Sequence, residues 1–397
     1  MMSFDPAVWH ADTALVHGGV NRTQFDETSE AIFMTSGYIY GSAEEAEAAF
    51  KGENERFVYS RYANPTVNTF QDRLKMLEGA EACFATASGM SAVYTALISL
   101  LKSGDHIVAA RALFGSCQFI LTEIFPRFNI SCEFVDGKDL EAWEVALKKP
   151  TAVVFIETPS NPALELIDLT KVAELAHNAG ATVVVDNVFA TPCNQKPLEM
   201  GADVVVYSAT KHIDGQGRCL GGAILGTEEF CKEKITPYIR HTGPCMSPFN
   251  AWVLLKGLET LNLRVDRQCQ TAEKIARHFE SHPAIERIIY PHLESHPQYD
   301  LAKAQMKQGG SIVTIDLKQD KEQAFKTLNA FKIIAISNNL GDAKSLSTHP
   351  ATTTHQRLTV EEQAQMGITQ GMIRLSVGLE NVDDLIKDID TALSLSI

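Results

Sequence analysis

The stretch AVVFIETPSNPALELIDLTKVAELAHNAGATVVVDN, residues 152–187, holds two short apolar runs on either side of a helical pattern. Residues 152–157 and Thr182–Asp186 are continuous and rich in Val and Ile, as strands covered on both faces must be. Between them, residues 168–179 start on Asp168, a capping residue, and stop just before Gly180, which suits a helix end. Strand, helix, strand at this spacing is the unit of a mainly parallel sheet with helices on its faces. Working outward, His106–Ala110 and residues 203–207 read as two more buried strands. Thr86-Ala87-Ser88-Gly89-Met90-Ser91 opens a long apolar helix that runs through Leu101.

Towards the C-terminus the texture becomes α+β. Residues 311–317 alternate apolar and polar, which predicts a half-buried strand, and residues 372–377 predict another. Residues 381–395 place Val382, Leu385, Ile386 and Ile389 on one helical stripe. Towards the N-terminus, residues 1–62 are polar and irregular, with one short helical stretch near residues 43–50. An arm of that kind is expected to lie against a neighbouring subunit. The expected organisation is an arm over 1–62, a large domain over 63–258 and a small domain over 259–397. Sequence repeats and low-complexity segments are absent.

Composition bounds the function. Lys plus Arg is 35 and Asp plus Glu is 49, a formal charge of −14. Such a surface repels nucleic acid and anionic membrane, so neither is expected as a partner, and an anionic substrate must be drawn in by local positive groups. None of the 8 cysteines forms a C-x-x-C pair, no Cys/His spacing suits zinc, and no metal is expected. Residues 1–10 lack the basic and apolar regions of a secretion signal, and no apolar run is long enough to span a bilayer. Reduced thiols in a cytoplasm are the expectation.

Ligands of an open parallel sheet bind beyond the carboxyl ends of its strands. Three ends here are polar: Glu157-Thr158-Pro159-Ser160-Asn161-Pro162, Asp186-Asn187 and Ser208-Ala209-Thr210-Lys211. Asn161, Asp186 and Lys211 should therefore meet in one cleft. A lysine and a carboxylate at one mouth suit pyridoxal 5'-phosphate (PLP), which takes a lysine as a Schiff base and an acid opposite its pyridinium nitrogen. Small residues at the helix start, 88–91, would offer N–H groups to a phosphate, with Ser208 and Thr210 adding hydroxyls. Singly, each feature reads as a cap or a solvated lysine; the joint arrangement carries the argument. A cofactor-free nucleotide-binding protein is the contrasting class, but the chain has no G-x-G-x-x-G in a first βαβ unit and no P-loop.

Joined by Tyr59-Ser60-Arg61-Tyr62-Ala63-Asn64-Pro65-Thr66 and Arg374-Leu375-Ser376-Val377-Gly378, these segments resemble the Cys/Met-metabolism family of PLP enzymes over nearly the whole chain. The resemblance implies an α/β, type I (aspartate aminotransferase-like) fold and a homotetramer of two catalytic dimers. It implies Lys211 as the catalytic lysine and Asp186 at the ring nitrogen. Gly89, Met90, Ser208 and Thr210 would hold the phosphate, with Tyr59 and Arg61 reaching a neighbouring subunit's phosphate. Arg374 would pair with the substrate α-carboxylate, and Asn161 would lie near both cofactor and substrate. Many relatives stack a tyrosine on the ring; here Phe114 can stack but has no hydroxyl. Asn339 stands where lyases and γ-synthases often show a serine, and is expected beside the substrate.

Within the family, Asp214-Gly215-Gln216-Gly217-Arg218 and Asn338-Asn339-Leu340-Gly341-Asp342 resemble the branch that joins sulfide to O-succinylhomoserine, giving homocysteine and succinate. Other outcomes on the same scaffold are cystathionine formation with cysteine, use of O-acetylhomoserine, or γ-elimination as in methionine γ-lyase. A regulatory protein that merely keeps the scaffold is countered by intact Lys211, Asp186, Arg61 and Arg374. Arg218 is expected to take the distal carboxylate of a succinyl group, with a structural ion pair as the competing reading. His349 and His355 are expected in the active-site wall, and Cys219 as a small buried residue.

Overall fold

A computed structural model describes residues 9–396; most of the segment read for a secretion signal, and the start of the arm, lie outside the described residues. Seven strands make the first sheet: β1 (Ala82–Thr86), β2 (His106–Ala110), β3 (Ser131–Val135), β4 (Val153–Glu157), β5 (Thr182–Asp186), β6 (Val204–Ser208) and β7 (Gly222–Gly226). Their order is β1-β7-β6-β5-β4-β2-β3. The run from β6 to β3 is parallel, and β7 is antiparallel to both β6 and β1. Strand alternation sends Val154, Ile156, Val183 and Val185 into one core and Val153, Phe155 and Val184 into another on the opposite face. Covering on both faces explains why these strands read as unbroken apolar runs.

The helix between β4 and β5 spans Leu169–Asn178, and the Asp168 carboxylate accepts the Lys171 N–H at its start. The apolar helix after β1 spans Gly89–Leu100, capped by the Ser88 hydroxyl, which accepts the Ser91 N–H at 3.1 Å. In the N-terminal segment the expected helix is present as Ala43–Lys51. A second, Ala11–His17, was not expected; Ala14 and Leu15 are its only buried residues, too few to make a periodic signal.

The second sheet holds β8 (Ile285–Ile289), β9 (Ile312–Leu317), β10 (Ala335–Ile336), β11 (Leu346–Thr348) and β12 (Met372–Ser376), in the order β10-β11-β12-β9-β8. Only β10 and β11 run parallel. Here one expectation fails. The alternation in β9 predicts a wet face, yet all six of its residues are buried. Its polar residues are spent inside: the Thr314 hydroxyl donates to the Pro162 carbonyl at 2.7 Å, and Asp316 accepts from Arg287 Nε at 3.0 Å and from Thr369. Thr314 thus ties the second sheet to the loop leaving β4.

The 19-residue helix Leu261–Phe279 joins the two halves. Leu261, Val265 and Cys269 belong to the first core, while Ala272, Ile275, Ala276 and Phe279 belong to the second. The terminal helix Val382–Ser396 closes that second core with Leu385 and Ile389.

Candidate active site

The carboxyl ends of β4, β5 and β6 open on one cavity of about 1110 Å³. Asn161, Asp186 and Lys211 all line it, together with Ser88, Gly89, Met90, Phe114, Ser208, Thr210, Asn339 and Arg374. The second sheet contributes Arg374 from β12, so the cavity lies between the two halves of the chain.

Lys211 follows β6 within the turn after Ser208. Its ammonium donates to Asn339 Oδ1 at 2.6 Å. Burial, and next the Arg374 charge, bring its pKa down to about 8. An amine that titrates there can carry or release a proton near neutrality.

Asp186 ends β5 and pairs in register with Glu157 on β4. Its carboxylate accepts the Val188 N–H at 3.1 Å. Burial raises the pKa of both acids, and the Asp186 charge raises Glu157 further. Two buried carboxyl groups this close hold a proton that isolated ones would lose. Glu157 is also a brace: one oxygen accepts the Phe114 N–H at 2.7 Å and the other the Asn161 N–H at 3.2 Å.

Arg374 is 1% exposed and makes no ion pair with a described residue. Nη1 donates to Asn161 Oδ1 at 3.0 Å, and Nη2 to the Asn338 and Asn339 carbonyls at 2.9 and 3.3 Å. Its Nε has no partner, and burial lowers its pKa to about 10. A buried guanidinium without an anion is costly, and a carboxylate ligand would satisfy it.

The residues fit PLP. Gly89 and Met90 begin their helix, so their N–H groups have no intrahelical acceptor. A Cβ on Gly89 would lie 2.5 Å from that of Ser208, so only glycine lets the helix start approach the end of β6 this closely. That cradle suits a phosphate. Asp186, with one backbone donor, has capacity left for a ring N–H, and Lys211 supplies the amine. Phe114 offers an aromatic face in the same wall. The Thr210 hydroxyl exchanges hydrogen bonds with Gly221 at 3.2 and 3.1 Å while still facing the cavity.

Other expected residues fall elsewhere. Tyr59 and Arg61 are not among the residues lining this cavity; the Arg61 guanidinium lies 5.3 Å from the Tyr59 ring centre and 5.0 Å from that of Tyr62, and donates to the Arg240 carbonyl. Arg218 makes the structural ion pair that was its competing reading. It stays out of the cavity because Asp214, fully buried, claims it: Nε donates to Oδ1 at 2.8 Å, and the backbone N–H and Nη2 also bond to Asp214. The available signal was an acid four residues back in the same turn. His355 lines the cavity but His349 does not; the latter bonds Thr352 and the Gln370 carbonyl. Sequence reading missed the bracing by Glu157 and the presence of Arg111 and Arg357 in the wall. The first depends on β2 lying beside β4, which brings the Phe114 N–H to the end of β4.

With this geometry in hand, comparison with known proteins is specific. The family model for Cys/Met metabolism PLP-dependent enzymes matches residues 12–394. An O-succinylhomoserine sulfhydrylase of Mycobacterium tuberculosis is 58% identical over 386 residues, covering 96% of this chain and 95% of that protein. Another, from Pseudomonas aeruginosa, is 47% identical over 383 residues, with 96% and 95% covered. The solved cystathionine gamma synthase of Xanthomonas oryzae, in complex with aminoacrylate and cysteine, superposes with a TM-score of 0.93 at 30% identity, covering 98% of each chain.

Proposed function

The chain belongs to the Cys/Met metabolism family of PLP-dependent enzymes, and from that premise we propose that it replaces the acyloxy group of O-succinylhomoserine with sulfide, giving homocysteine and succinate. The observation that carries a substrate of amino-acid type is Arg374: a buried guanidinium that makes no ion pair with a described residue and leaves Nε unpartnered, in the same cavity as Lys211. The choice of ester and nucleophile is supported by the names of the two sulfhydrylases at 58% and 47% identity.

When bound, the cofactor supplies an electron sink for negative charge developing at the substrate Cα. The chain's own residues do the rest. Arg374 forks onto the α-carboxylate while Asn161 holds the guanidinium plane, so the Cα–H bond is presented in one orientation. The Lys211 amine takes the Cα proton and passes protons along the side chain, at a pKa of about 8 that suits both directions. Asn339 accepts one Lys211 N–H and so aims the amine. Asp186 would face the ring nitrogen, with its one backbone donor, the Val188 N–H, leaving an oxygen free to accept there. Gly89, Met90, Ser208 and Thr210 would hold the phosphate, and Phe114 would offer an aromatic face to the ring. The phenol that many relatives place there is absent, so any part it plays in proton transfer passes to Lys211 or to water.

Tyr59 and Arg61 serve the phosphate of a neighbouring subunit in a tetramer built from two catalytic dimers, which gives the N-terminal segment its role. The 8 cysteines are all unpaired, in keeping with a cytoplasmic setting. The test is product analysis by mass spectrometry with O-succinylhomoserine plus sulfide, plus cysteine, and alone. Homocysteine from sulfide is expected to dominate. Cystathionine as the main product, or 2-oxobutyrate without any thiol, would move the enzyme to a synthase or lyase.

A further inference from the structure

A succinyl ester differs from an acetyl ester by a distal carboxylate, and a site that selects for it must offer a cation not already spent. Arg and Lys side chains in the cavity wall are Lys211, Arg374, Arg111 and Arg357. Lys211 and Arg374 serve the reacting end. Arg218 is bound to Asp214 outside the wall. Arg111 follows β2, which lies three strands from β6 in the order β6-β5-β4-β2. At about 4.8 Å per strand that is roughly 14 Å from the base of Lys211.

Arg357 starts from a better place. Its loop supplies His355, a buried ring close enough to Arg374 that the guanidinium charge helps to lower its pKa. The same loop is pressed on the short helix Gly115–Phe119, since a Cβ on Gly115 would lie 3.1 Å from the Thr354 carbonyl oxygen. Across that contact the Arg357 guanidinium sits 5.3 Å from the centre of the Phe119 ring. The ring holds the cation by its face. No hydrogen bond or ion pair with a described residue occupies its N–H edges, which suit a carboxylate fork. Of the two acids in the outer wall, Glu362 is spent on the Thr359 N–H, and Glu123 makes no ion pair with Arg357.

We infer that Arg357, steadied by Phe119, binds the distal carboxylate of the acyl group and sets the preference for succinyl over acetyl esters. This rests on the γ-replacement reading above. The test compares wild type, Arg357→Ala and Arg111→Ala as PLP holoenzymes, with O-succinyl- and O-acetylhomoserine, each with sulfide. In Arg357→Ala, kcat/KM for the succinyl ester should fall roughly 10- to 50-fold, a charge-assisted hydrogen bond discounted for exposure, while the acetyl ester changes less than about threefold. Arg357→Lys should recover part of the loss. Equal losses for both esters, no loss, or selectivity lost in Arg111→Ala instead would overturn the assignment. Calorimetric binding of unreactive succinate and acetate to the holoenzyme gives the same comparison independently of turnover. Wild-type protein that binds succinate no better than acetate would also overturn it. Wild-type protein that prefers the succinyl ester but forms the wrong product would instead overturn only the γ-replacement reading.

Discussion

Removing the Asn339 amide should make Lys211 a weaker base, and the size of that change follows from the geometry. Asn339 Oδ1 accepts the Lys211 ammonium at 2.6 Å, an interaction available only while Nζ carries a proton to donate strongly. A hydrogen bond to a charged group contributes about 1.5–3 kcal/mol, but cavity water replaces part of it, leaving about 1.4 kcal/mol, or one pH unit. The Lys211 pKa of about 8 should therefore drop to about 7 in Asn339→Ala. The assay is cofactor uptake by apoenzyme, followed by the appearance of yellow colour, because only the neutral amine can take PLP. At pH 7 about 10% of the wild-type lysine is neutral against about 50% in the variant, so uptake should be about fivefold faster. Above pH 9 the two rates should converge. A midpoint that stays in place or rises in Asn339→Ala would refute the reasoning.

Other consequences can be checked with the same enzyme. Arg374→Lys loses the planar fork and should lower kcat/KM by about 100-fold with cofactor content unchanged; retention of wild-type kinetics would remove its role as carboxylate anchor. Arg218→Ala should depress activity on succinyl and acetyl esters equally, because its partner is Asp214, and a selective loss in steady-state kinetics would restore the substrate role. Glu78 is buried, accepts the Tyr207 hydroxyl at 2.6 Å, and has its pKa raised by burial from 4.5 to about 8. A raised folded-state pKa stabilises fully below pH 4.5, and that contribution is lost as pH climbs towards 8, on the order of 5 kcal/mol at most. Urea melts should show Glu78→Gln gaining on wild type across that interval, and a constant difference from pH 5 to 9 would contradict it.

The parallel half of the fold was legible because its strands are covered on both faces. Residues 153–156 and 183–185 have nowhere polar to point, so their apolar runs identify them without neighbours. β9 was misread on its exposed face for the opposite reason: Thr314 and Asp316 look like a solvent face and are instead satisfied by Pro162, Arg287 and Thr369, partners up to 152 residues away. Site residues on strand ends, Asp186 and Lys211, could be placed because topology dictates where those ends lie. Arg357 could not, since its position depends on a loop packed against the helix that carries Phe119. Arg218 shows the converse. A cation close in sequence to the catalytic lysine was read as serving the substrate, whereas a fully buried Asp214 four residues back had the prior claim.

Glu157 gives the site a common datum. The aromatic wall at Phe114 and the carboxylate wall at Asn161 are each gauged from an oxygen of the same side chain, at 2.7 and 3.2 Å. When the β4 end shifts, both walls shift with it, and the gap between them is conserved much as the jaws of a caliper keep their setting when the instrument is carried. A side chain too short to reach both N–H groups would leave the two walls to be set separately.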